Sequence, residues 1–231
     1  IDNSKGKLVA IDLVDGIPKE KWEWSFSAPS GASPLIIDDR IYFDVSGTVD
    51  NPVPQVIALQ DSGDQADLLW STEIPDGRRL VSSLAKDPRG GMWLYTTRGD
   101  GRLIRLDENS GTILQEIRYP DLIETGDEVL PLQIVSSMQI GSEDDEVAMT
   151  FTVTTQSVVG YNCSDSIEFR PSYAVVLDLV EETIRGKHLL SDNACNFSNA
   201  AGAPLLVLKR ADQTRLVLGT ESLGVIALET I

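Results

Sequence analysis

Apolar and polar residues alternate along nearly the whole chain in short runs, broken by Gly, Pro, Asp and Asn. A period of two with β-branched and aromatic enrichment is the pattern of half-buried strands, so the chain is expected to be all-β, with no helix. The clearest run is an apolar strand ending in a polar, mostly acidic residue, LVAID at 8–12. It returns as VIALQ at 56–60, LIRLD at 103–107, VVLD at 175–178 and VIALE at 225–229. With Ala10, Ala58, Arg105, Val176 and Ala227 taken as equivalent, successive copies stand 48, 47, 71 and 51 residues apart. That spacing is what four short antiparallel strands and their turns require.

One unit reads as strands A to D at 33–38, 40–45, 55–60 and 67–74, and the next at 81–87, 91–98, 101–107 and 112–119. A third supplies 132–140, 146–155, 173–179 and 182–190. The last supplies 203–209, 214–220 and 224–230, with no D strand. Four-stranded units repeated at this period predict a β-propeller of four-stranded antiparallel blades, about four to five of them, as a single domain over 1–231. Its divisions are a partial blade at 1–26, blades at 33–74, 81–119 and 132–190, and a partial blade at 203–231. Trp22 and Trp70 each lie 12 residues after the repeat alanine. A large flat side chain at a fixed repeat position is expected to fill the contact between stacked blades.

The ends of this pattern do not add up to a whole blade, because both carry a C strand. The expectation is an unclosed ring with two bare edges, near Lys7 and Arg215. A longer polypeptide or a partner chain would supply what is missing, and a small ring with one displaced strand is the third possibility.

The run VAIDLVDGIPKEKWEWSF followed by ASPLIIDDRIYF, with LDENSGTILQEI and GTESLGVIALE, resembles the repeat of quinoprotein-like propellers, the family built on PQQ-type repeats. The resemblance covers almost the whole chain. It implies a propeller fold, and a function ranging from alcohol and sugar dehydrogenase to assembly scaffold or sensor domain. A quinone-dependent enzyme of this family would need a catalytic carboxylate, calcium ligands, a Trp under the quinone and, in the alcohol-oxidising group, adjacent cysteines. None of these motifs maps onto a residue here, and His188, the one histidine, falls in a strand D at a blade's outer edge. No catalytic, cofactor-binding or metal-ligating residue is therefore assigned. PQQ with calcium belongs to the dehydrogenase alternative alone.

Charge narrows the partners. The formal net charge of −17 argues against a nucleic-acid backbone or an anionic lipid surface, and no run of 18 apolar residues is present to span a membrane. The two cysteines, Cys163 and Cys195, cannot form a four-thiolate metal site. In a protein outside the cytosol they are expected to form one disulfide. Asn162 and Asn196 open glycosylation-type sequons beside them.

In an up-and-down blade the B-to-C and D-to-A connections share one face. On this face fall the long segments 44–55, 120–131, 156–172 and 191–202, while the opposite face has compact turns. Candidate recognition residues there are Asp50, Asn51, Asp121, Glu124, Asp127, Glu128, Tyr161, Phe169 and Arg170. The sequence thus points to a non-catalytic binding or scaffold propeller with a protein partner, outside the cytosol in a periplasmic, secreted or lumenal setting. The alternatives are a fragment of a quinone-dependent dehydrogenase and a lumenal or extracellular sensor domain.

Overall fold

The structure, a computed structural model, describes residues 6–26, 30, 33–47, 53–74, 84–96, 101–123, 132–134, 138–143, 146–155, 172–191, 206–210, 213–220 and 224–230. Strands β1 (Gly6–Val14) and β2 (Ile17–Phe26) form an antiparallel ribbon. Its turn is Asp15-Gly16, with φ of 54° and 78°. Positive φ at both central residues matches the right-handed twist of the flanking strands, which is why an Asp-Gly pair closes the ribbon.

Three four-rung sheets and one three-stranded sheet follow, each an antiparallel meander. The second sheet has the order β3 (Leu35–Ile37), β4 (Arg40–Val45), β5 (Gln55–Asp61), β6 (Ala66–Glu73). The third runs β7 (Ala85–Lys86), β8 (Met92–Tyr95), β9 (Arg102–Leu106), β10 (Ile113–Arg118). One helical turn, α1 (Tyr119–Leu122), then departs from the expected absence of helix, started by Pro120, whose fixed φ suits a helix's first turn. The fourth sheet holds β11 (Leu132–Ile134), β12 (Gln139–Glu143), β13 (Glu146–Thr155), β14 (Ser172–Asp178) and β15 (Thr183–Ser191). The last is β16 (Leu206–Arg210), β17 (Gln213–Thr220), β18 (Gly224–Thr230). This is the blade pattern of an all-β propeller.

Two of the expected A strands differ in detail. The run 132–140 is two strands, because β11 and β12 pair with the same edge of β13: Ile134 faces Val153 and Gln139 faces Thr150. Four residues thus stand against two, and the excess breaks the strand. In the third sheet strand A is only the pair Ala85–Lys86.

The chain divides into two compact units, residues 1–86, 90–99 and 104–115, and residues 87–89, 100–103 and 116–231. In the first, one core cluster joins Trp22 to Ile41, Phe43, Val45, Ile57 and Leu59, with Leu8, Ala10, Trp24 and Phe26 packed on it. A second cluster joins Tyr42, Val56, Ala58 and Trp70 to Met92, Leu94, Ile104 and Leu106. Alternate residues of β4 and β5 thus serve opposite cores, so these strands are apolar on both faces. In the second unit the ring of Tyr119 meets that of Phe151 edge-on at 6.3 Å, and Arg89 donates to the carbonyl oxygen of Leu179 at 3.2 Å.

Candidate functional site: an exposed apolar ribbon

The register makes β1 and β5 equivalent residue by residue. Ala10 faces Trp22 and Ala58 faces Trp70, and in both strands a bulge follows at once, so Val9 corresponds to Ile57, Ile11 to Leu59 and Asp12 to Gln60. The inner face of the ribbon behaves alike: Trp22 is buried, and its Nε1 donates to Asp61 Oδ1 at 3.0 Å, while Trp70 Nε1 donates to the Glu108 carbonyl at 3.2 Å. Both Trp side chains are therefore core between neighbouring sheets, as their spacing predicts.

The outer face behaves differently. Ile57 and Leu59 are 5% and 0% exposed, but Val9 and Ile11 are 41% and 60% exposed. Toward the ribbon's tip Leu13, Val14 and Ile17 are exposed as well. Among the described residues β1 pairs only with β2, whereas β5 is paired on both edges, with β4 and with β6. Five exposed apolar side chains on one ribbon are a surface of the kind that marks protein interaction. Around it lie acids and bases in partial balance: Lys7 Nζ holds Glu23 at 2.8 Å and Lys21 Nζ holds Asp61 at 2.9 Å.

A second polar feature lies at the end of β4, where the segment 44–55 departs. Asp44 is 1% exposed; its Oδ1 accepts a 3.5 Å bond from Ser30 Oγ, and its Oδ2 has no hydrogen-bond partner among the described residues. Burial pushes this carboxyl up to about 6. Tyr95, at the corresponding end of β8, is also buried, and burial together with the charge of Asp44 pushes its phenol up to about 12. A lone acid cannot hold a metal ion by itself. Among the described residues, no three His, Cys, Asp or Glu side chains converge on such a site.

Of the recognition residues expected from sequence, only Asp121 lies among the described residues. It sits in α1, exposed, 3.5 Å from Arg118, so its charge is partly offset. Asp50, Asn51, Glu124, Asp127, Glu128, Tyr161, Phe169, Arg170, Asn162, Asn196, Cys163 and Cys195 lie outside the described residues. His188 sits in β15 opposite Ala174 and is exposed, on the outermost strand of its sheet as expected. No helix among the described residues is long and apolar enough to cross a membrane.

No protein-family model matches the sequence, and no curated protein matches it. Similar solved structures do exist. The quinohemoprotein alcohol dehydrogenase from Comamonas testosteroni is 12% identical, with 88% of this chain and 43% of that one covered, at a TM-score of 0.43. BamB from Moraxella catarrhalis is 11% identical, covering 89% and 66%, at 0.42. Sqt1 of Saccharomyces cerevisiae is 14% identical, covering 98% and 67%, at 0.49. The chain spans less than half the length of the dehydrogenase.

The apolar ribbon face was only half legible beforehand. A bare edge near Lys7 follows from the repeat pattern, but LVAID reads the same whether its outer residues are covered or open. Asp44 was missed as a site residue because, in sequence, it is one acid among 36 Asp and Glu. Its place in the alternation of RIYFDV, at a position buried elsewhere in the strand, was the available signal.

Proposed function

We propose that this chain is a non-catalytic binding propeller that holds a protein partner outside the cytosol. The observation that carries the reading is the pair Val9 and Ile11, exposed where their counterparts Ile57 and Leu59 are buried, with Leu13, Val14 and Ile17 also exposed toward the ribbon's tip. Covering apolar area is worth roughly 25 cal/mol per Å², so such a strip favours association. The net charge of −17 turns the choice toward a partner with basic surface. The long connections serve as a second contact surface in this reading, with Asp121, Glu124, Asp127 and Glu128 as its acidic element. A Cys163–Cys195 bridge and the extracytoplasmic setting belong to the same proposal.

Cross-linking mass spectrometry on the protein in its native setting tests the reading. Links from Lys7 and Lys19 of the ribbon to peptides of another protein are the expected result. Links confined to this chain would overturn it. Dye reduction after reconstitution with quinone and calcium would replace it with the dehydrogenase reading.

A further inference from the structure

We propose that Asp44 anchors a binding site for one primary ammonium group, entered at the end of β4 where the segment 44–55 departs. The inference goes beyond the protein-binding reading, because the same chemistry is carried by a lysine side chain and by a free amine.

β4 is buried from Ile41 to Val45, and Asp44 is its one carboxyl in that stretch. Two residues from Tyr42, it points to the same side of the sheet, where Tyr42 packs with Met92 and Leu94 of β8. Its partner across the strands is Val56, fully buried, so the facing position in β5 offers it no polar group. Ser30 Oγ donates to Oδ1 at 3.5 Å, the outer limit of a hydrogen bond, and the residue's own backbone N–H also favours the ionised form. Oδ2 is buried with no partner, and no Lys, Arg or His pairs with the carboxyl among the described residues. A buried carboxylate in this condition gains most from a donor that also brings positive charge.

The free acceptor selects among cations. A guanidinium uses its fork fully only against two parallel acceptors, and Oδ1 is already engaged. A calcium ion needs six to eight oxygens. An ammonium is a compact point charge that a single oxygen can hold. Ser46 and Gly47, just beyond the strand, are partly exposed, so the carboxyl lies close beneath the surface and within reach of a small head group. The groups facing Asp44 among the described residues are Ser30 and Tyr95, and neither titrates between pH 5 and 7.5. The dependence of binding on pH therefore belongs to Asp44, which passes from mostly neutral to mostly ionised as pH rises through about 6.

The test uses the full chain with carbon-13 in its aspartate carboxyls, the Asp44 signal being the one that Asp44→Asn removes. Methylammonium, added at constant ionic strength and pH 7.5, is expected to shift that signal saturably. Tetramethylammonium, with the same charge and no N–H, should leave it unmoved. Affinity should fall about tenfold at pH 5, and calorimetry should find no methylammonium binding to Asp44→Asn, which keeps the shape of the side chain. No saturable shift, an equal response to tetramethylammonium, affinity independent of pH, or binding retained by Asp44→Asn would each overturn the proposal. A blocked Gly-Lys-Gly peptide that competes with methylammonium would assign the group to a lysine side chain, and exclusion of the peptide would assign it to a free amine. Cross-links from Lys7 to another protein without an Asp44 response would leave the protein-binding reading and remove the site. An Asp44 response with links confined to this chain would do the reverse.

Discussion

Asp44 and Asp178 are both buried carboxylates near strand ends, and their surroundings move them in opposite directions. Asp178 is pushed up by burial, but the N–H groups of Glu181 and Val180, at 3.0 and 2.8 Å, and the guanidinium of Arg185 hold it below the usual range. For Asp44 burial prevails over its own backbone N–H and the Ser30 hydroxyl. The consequences for stability have opposite signs. Asp178 contributes stability above the unfolded carboxylate value, lost as pH falls through its lowered native value. Asp44, raised from 3.8 to about 6, makes the native state bind a proton that the unfolded state has released, so stability falls as pH rises between those values. Asp44→Asn should therefore stabilise the protein at pH 7.5 by on the order of 2–3 kcal/mol, with little effect near pH 4. Urea unfolding of both proteins at the two pH values checks this, and a variant less stable at pH 7.5 would show that Asp44 is satisfied as an anion. Two glycines give a second contrast. Gly111 has φ of 70°, its carbonyl accepts from Thr72 Oγ1 at 2.7 Å, and a Cβ there would run into the ring of Trp70. Gly186 lies in β15, with nothing within 4 Å of where its Cβ would stand. Gly111→Ala should cost about 2–4 kcal/mol and Gly186→Ala should stabilise by about 0.5–1 kcal/mol, both read from denaturant midpoints.

At the scale of elements the repeat carries a bulge at a fixed place. The bulge after Ala10, Ala58 and Val176 recurs at the same register, skipping Lys21, Leu69 and Arg185. Two of these three carry cations that reach an acid, Asp61 for Lys21 and Asp178 for Arg185. Directly beside the bulge stand Trp22, Trp70 and Gly186. Counting 12 residues from Val176 reaches His188, yet β14 runs only two residues past its bulge, against four in β1 and three in β5, so Gly186 takes the tryptophan's place. Strand existence was legible because alternation over five to ten residues survives any packing. RIYFDV is β4 over Arg40–Val45, and EVAMTFTVTT is β13 over Glu146–Thr155, residue for residue. The A strands were less legible, since a two-residue rung such as Ala85–Lys86 is too short to show a period.

For the molecule as a whole, a charge of −17 on 231 residues means that self-repulsion opposes the compact state. The ion pairs Lys7–Glu23 and Arg102–Glu116 lie at or near the surface, where such contacts contribute little and weaken with salt. Relief of repulsion should win. Raising NaCl from about 0.02 to 0.3 M shortens the Debye length several-fold, and the thermal midpoint is expected to rise. A fall would mean that attractive pairs outweigh net charge. The Cys163–Cys195 bridge, if formed, closes 31 intervening residues and would stabilise by about 3–4 kcal/mol in the loop-closure view. Thiol titration in denaturant should find none before reduction and two after; two free thiols at the outset would remove both the bridge and its argument for an extracytoplasmic setting.

By itself the sequence determined which runs are strands, their antiparallel order and the repeat that builds blade-type sheets one after another along the chain. These depend on local alternation and on turn residues such as Asp15 and Gly16, and both are written in neighbouring positions. Only the tertiary structure decided that Val9 and Ile11 are open while Ile57 and Leu59 are closed, and that Asp44 Oδ2 is buried with no partner among the described residues. Exposure and hydrogen bonding depend on what a strand meets across a sheet, and two strands with one pattern can meet different neighbours.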